Sequence, residues 1–80
     1  MAQRSSAHAA LGRAIRAVRV ERSWSQEELA FRSGLHRTYV GVLERGERNP
    51  TYLGLLRLAE ALDVSASELI AGAERLERDA

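Results

Sequence analysis

A Ser-x-x-Glu box at Ser25–Glu28 and a glycine at position 34 leave room for only about two helical turns between them. In such a box the Ser25 hydroxyl takes the amide of Glu28, and the Glu28 carboxylate reaches back to the Ser25 amide. The helix that starts at Gln26 therefore ends at Ser33-Gly34, where glycine turns the chain left-handed without a Cβ penalty. A second short helix follows from Arg37 to Arg45, with His36 as its N-cap-like residue, Val40 and Leu43 facing inward and Gly46 closing it.

The rest of the chain keeps the helical period. Leu11, Ala14, Ile15 and Val18 fall at i, i+3, i+4 and i+7, one face of a helix over roughly 6–22. After the loop Asn49-Pro50, Thr51 is an N-cap, and Leu55, Leu58, Ala59 and Leu62 repeat the signature in a fourth helix. A second capping box, Ser65-Ala66-Ser67-Glu68, opens a fifth helix through about Leu76. The chain has no alternating β pattern, internal repeat or low-complexity segment.

Eighty residues give one core and no room for a second. A composition of 45 % hydrophobic and 29 % charged residues suits a soluble globular chain. Cysteine is absent, which excludes disulfides, Cys-based zinc sites and thiol catalysis. No apolar run approaches the ~18 residues of a membrane span, and the N-terminus has no apolar leader core, so a cytoplasmic address is expected. Aromatic residues, at 5 %, are too few for a base-stacking platform. The net charge of +1 hides an uneven distribution: residues 1–48 carry nine arginines against five acids, and 49–80 carry three against six. An anionic partner would dock on the first half.

The segment from Gln26 to Arg45 concentrates the chemistry. Two short helices crossing at ~90–120° need a small residue at closest approach (Ala30) and a permissive φ at the corner (Gly34). Val40 and Leu43 would clamp the second helix, leaving its outer face and N-terminal end free to enter a ~12 Å major groove. The expected fold is all-α, a compact five-helix bundle containing a helix-turn-helix. Residues 1–80 form a single domain, with 1–5 as a disordered arm and 77–80 as a frayed tail.

These residues carry a resemblance. Ser25-Gln26-Glu27-Glu28-Leu29-Ala30, Ser33-Gly34-Leu35, Leu43-Glu44-Arg45-Gly46 and Asn49-Pro50 resemble the Xre-type helix-turn-helix domain of phage repressors, Cro proteins and bacterial regulators. The likeness covers residues ~11–71. The runs His36-Arg37-Thr38-Tyr39-Val40 and Glu44-Arg45-Gly46-Glu47-Arg48-Asn49 are similar to the controller proteins of restriction–modification systems.

The resemblance implies roles. Arg37, Thr38, Tyr39 and Val42 would face base edges, and Gln26, His36, Arg45, Arg48 and Asn49 would hold phosphates. Chemistry agrees for Arg37, whose fork fits O6 and N7 of guanine, and for the Thr38 methyl against a thymine methyl. Tyr39 either reads DNA or lies flat on the domain. Arg19 and Glu44 match a salt bridge that ties the first and third helices, while Arg13, Arg16 and Arg22 are expected on a solvated face. Leu53, Leu56, Ile70, Ala73 and Leu76 are candidates for a self-association patch, or simply scattered surface apolars. Three features depart from the family pattern: Gly41 in the middle of the recognition helix, Ser23 in place of a helix-ending glycine, and the pair Leu53-Gly54 where polar residues are usual.

The implied function is sequence-specific binding of double-stranded DNA by a homodimer that regulates transcription on a palindromic operator. Its own gene or a restriction–modification operon is the implied target, and RNA polymerase is a further partner. An antitoxin-like or polymerase-interacting module on the same fold is the alternative. No nucleophile–base arrangement, facing carboxylate pair or phosphate loop points to an enzyme. His8 and His36 have no third ligand in register, so neither a metal nor a cofactor is expected.

Overall fold

The computed structural model describes residues 6–79, all of its regular structure helical: α1 (Ser6–Glu21), α2 (Gln26–Ser33), α3 (Arg37–Glu44), α4 (Tyr52–Leu62) and α5 (Ala66–Asp79). The expected arm at 1–5 and Ala80 lie outside the described residues. Where a frayed tail was expected, α5 instead continues three residues past Leu76 to Asp79, and Ser6 Oγ donates to Glu77 Oε2 at 2.7 Å.

The start signals work as local chemistry demands, with one exception. Ser65 and Glu68 form a complete box: Glu68 N donates to Ser65 Oγ at 3.0 Å, and Ser65 N donates to Glu68 Oε1 at 2.7 Å. The Ser65 backbone bond holds the Glu68 carboxyl below its usual pKa, aided by the Ser65 hydroxyl. The box at Ser25 is only half made. Glu28 N donates to Ser25 Oγ at 3.0 Å, but the Glu28 carboxylate turns away to accept from Arg32 Nε at 2.6 Å. Arg32 in turn lies over the Trp24 ring, 4.2 Å from its centroid, and this i,i+4 pairing outcompetes the backbone amide for the carboxylate.

Ile15, Leu29, Val40, Leu58, Leu62 and Leu69 are the largest fully buried side chains, one or two from every helix. They clamp α3 from behind, as Val40 and Leu43 were expected to do. A second cluster of Ala10, Ala14 and Ala73 joins α1 to α5, with Leu11 and Leu76 packed against it. Ala73, 8 % exposed, is therefore interior, and Leu76 is half-buried beside it. Both were candidates for a surface patch; Ala73 is covered instead and Leu76 partly so, because α5 turns that face onto the small residues of α1.

Two glycines set how closely α1 approaches α3. A Cβ on Gly12 would lie 2.4 Å from the Leu43 carbonyl oxygen and 2.5 Å from that of Glu44, both backbone atoms that cannot step aside. Gly46 turns the chain at φ +74°, and a Cβ there would lie 2.7 Å from Ala9 Cα. Ser23, in contrast, occupies the left-handed region at φ +62° without being glycine.

Two stability changes follow from this backbone. Gly12→Ala should lower stability by roughly 1–3 kcal/mol through overpacking, read from urea or thermal unfolding. Ser23→Gly should raise it by about 0.5–1 kcal/mol, because relief of the left-handed cost slightly exceeds the entropy that glycine adds to the unfolded chain.

Candidate nucleic-acid interface

The site is built around a buried ion pair. Arg19 of α1 meets the Glu44 carboxylate of α3 with both arms of its fork, Nε to Oε2 at 2.6 Å and Nη2 to Oε1 at 2.8 Å. Its remaining arm, Nη1, donates to the Trp24 carbonyl at 2.8 Å, closing the turn between α1 and α2. Glu44 also accepts from Gln26 Nε2 at 2.9 Å, so one carboxylate joins three helices. The bond to Glu44 raises the Arg19 pKa further above an already high value, against the opposing effect of burial, and the guanidinium stays charged. The pair is a structural fastener.

Among the described residues no buried side-chain nitrogen or oxygen lacks a partner. Losing one partner here leaves a charge stranded among apolar groups. Arg19→Ala should therefore cost ~3–5 kcal/mol, measured by chemical denaturation.

Fastened in this way, α3 offers its N-terminal end and outer face to solvent. His36, an exposed residue, is the N-cap of α3: its Nδ1 accepts from Thr38 N at 3.0 Å, which spends one ring nitrogen. Arg37 and Thr38 are exposed. The Arg37 guanidinium pairs, through Nη1, with the Glu27 carboxylate of α2, and both side chains are 66 % exposed. Val42, further along α3, is half-buried, a more recessed position than its place on the helical wheel implied.

Tyr39 takes the flat orientation. Its hydroxyl accepts from Thr51 N at 3.2 Å, and its ring covers Gly54, where a Cβ would lie 3.0 Å from the phenolic oxygen. That contact explains why the first turn of α4 carries glycine. The N-cap Thr51, whose Oγ1 accepts from Gly54 N at 2.9 Å, is thereby tied to α3.

The glycine within α3, Gly41, is also accounted for by its neighbours. A Cβ there would be 3.2 Å from Arg45 Nη1 and 3.5 Å from Gln26 Oε1, so Gln26 and Arg45 converge in the space that a side chain would fill. Arg45 is the C-cap of α3, and its Nε donates to Glu47 Oε2 at 3.0 Å. Arg48 and Asn49 follow, exposed on the same loop, and Arg48 has no ion pair among the described residues. The structure thus brings together Gln26, His36, Arg37, Thr38 and Arg45 around the N-terminal ends and outer face of two helices. Backbone amides at such an end, with guanidinium groups beside them, suit an oxyanion of a nucleic-acid backbone. Arg13 and Arg16 are exposed on α1, and the Arg22 guanidinium lies 3.7 Å from Glu21.

Two features escaped the sequence reading. Glu27, an unremarked member of the capping box, holds the candidate base reader. Phe31 of α2, 84 % exposed, and Tyr52 of α4, 77 % exposed, stand out as aromatic side chains on the surface. A period-based reading counts apolar positions toward a core, and nothing in the local pattern of Phe31 marked it as outward.

With the fold and the converging residues in place, the chain can be assigned: it belongs to the helix-turn-helix family, of Xre type, whose profile matches residues 15–69. Control protein C.SmaI of Serratia marcescens is 50 % identical over 56 residues, covering 70 % of this chain and 67 % of that protein. Among solved structures, the restriction–modification controller protein C.AhdI from Aeromonas hydrophila matches at a TM-score of 0.75 and 48 % identity, covering 76 % of this chain and 92 % of that one. SinR, a master regulator for biofilm formation solved in complex with DNA, matches at a TM-score of 0.71 and 33 % identity over 74 % of this chain and 95 % of its own. No helix among the described residues is long and apolar enough to cross a membrane.

Proposed function

We propose that this protein is a sequence-specific double-stranded-DNA-binding regulator of transcription that acts as a homodimer, with a restriction–modification operon, its own gene included, as its target. The observation that carries the reading is the presentation of α3: Val40 and Leu43 are buried, while Arg37 and Thr38 stand exposed at its tip. A rod held in this way fits the major groove of B-form DNA. Arg37 and Thr38 read bases; Gln26, His36, Arg45, Arg48 and Asn49 hold phosphates. Tyr39 supports α4 more than it reads, and Val42 contributes at most a methyl contact. The control proteins among its relatives support the operon assignment.

One recognition helix reads only a few base pairs, too little information to select a site in a genome. Two copies about a two-fold axis would read half-sites ~34 Å apart. Leu53, Leu56 and Ile70, exposed by 56, 37 and 42 %, supply the apolar surface for self-association on α4 and α5. The acidic second half is then left for the partner subunit or RNA polymerase, and the site of action is the nucleoid in the cytoplasm.

Selection of bound oligonucleotides from a random pool should return a palindromic consensus, and a non-palindromic or absent consensus would refute the dimeric reading. Against that operator, Arg37→Ala should lose ~1–3 kcal/mol of discrimination at one base pair per half-site. Arg48→Ala should weaken all sequences alike and reduce the slope of log affinity against log salt by about 1. Fluorescence anisotropy at several salt concentrations separates the two.

A further inference from the structure

The geometry points to Glu27 as a specificity-determining residue that acts through Arg37, tethering the base reader so that it cannot settle on phosphates. The inference rests on the base-reading role of Arg37 proposed above. Glu27 is the second residue of α2 and Arg37 the first of α3, ten positions apart, and the helix crossing alone brings carboxylate and guanidinium together. Both side chains are 66 % exposed, so the pair adds little to folding: exposed pairs shift an equilibrium about fivefold at most. A contact so weak for stability can still bias where a mobile guanidinium points.

The bias follows from how a guanidinium is built. Five N–H groups lie in one plane, and Glu27 occupies the Nη1 end of the fork. The remaining donors, on Nη2 and Nε, still offer a two-pronged edge to guanine O6 and N7. Arg37 can therefore read a base and keep its carboxylate partner. A phosphate makes a different demand. It carries a full negative charge, and drawing Arg37 onto it brings that charge beside the Glu27 carboxylate at the N-terminal end of α2. Random DNA, bound almost wholly through phosphates, therefore loses more from Glu27 than the operator does.

The other groups nearby do not duplicate this role. The Glu28 carboxylate is committed to Arg32, Glu44 is buried against Arg19 and Gln26, and Glu47 lies at the far end of α3 beside Arg45. Among the described residues, Glu27 is the acid that meets the guanidinium at the tip of the recognition helix.

The test compares affinities of wild type, Glu27→Gln, Arg37→Ala and the double variant for the selected operator and a random duplex of equal length, at one fixed salt concentration. Thermal melting confirms that each variant folds. Glu27→Gln should tighten random-duplex binding about fivefold and operator binding less than twofold, lowering their ratio at least twofold. In the Arg37→Ala background the same substitution should leave that ratio unchanged. A ratio unaltered by Glu27→Gln, or lowered equally with and without Arg37, overturns the inference and leaves DNA reading intact. A wild-type protein that does not discriminate operator from random duplex overturns the underlying function instead.

Discussion

The Glu44 carboxylate is where the architecture and the candidate interface meet. It is nearly inaccessible, it takes two bonds from Arg19 and one from Gln26, and it stands at the end of the helix whose other end faces solvent. A buried pair of this sort contributes little net stability compared with well-packed apolar side chains, because desolvation offsets most of the attraction. What it provides is registration. The bonds are directional, so α1, α2 and α3 can satisfy them in only one relative placement. Gly12 makes that placement reachable by letting the α1 backbone close on the Leu43 and Glu44 carbonyls. The tip of α3 is thus positioned from its opposite end, and Gln26 is held at the start of α2 by the same anchor.

Around that anchor, residues that look anomalous on the sequence prove to be shaped by neighbours. Gly41 leaves room for Arg45 and Gln26 to converge, and Gly54 leaves room for the Tyr39 ring. In each case a missing side chain allows a longer one to lie across the helix surface. The helical propensity lost at Gly41, about 1 kcal/mol relative to alanine, is exchanged for placement of a guanidinium beside the N-terminal end of α2. Ser23 is shaped by the backbone instead: its left-handed turn ends α1 and lets Trp24 N donate to the Arg19 carbonyl at 3.2 Å.

Much of this was legible beforehand because it is local. Serine and threonine caps, glycine turns and the i, i+3, i+4 stripes fix helix boundaries through bonds a few residues long, and the helices lie close to where those signals put them. The Arg19–Glu44 pair came from family likeness, not from any local pattern. What the sequence left open depends on the angle between helices. The Glu28 carboxylate had two suitors, and only the fold decided for Arg32. Arg37 could have been unpaired, and only the crossing of α2 and α3 delivers it to Glu27. Ala73 and Leu76 share α5 with the outward Ile70, and the alanines of α1 determine which part of that helix is covered.

The seam between α1 and α5 is made of Ala10, Ala14 and Ala73, with a serine–glutamate bond joining Ser6 to Glu77. It unites segments separated by nearly the whole sequence. During synthesis, at ~5–20 residues per second, α1 leaves the ribosome several seconds before α5. For that interval its alanine stripe has no cover, while the segments of α2 and α3 emerge in turn. The helix that bears Arg19, and with it the anchor for α3, therefore waits for α5 before its second face is covered.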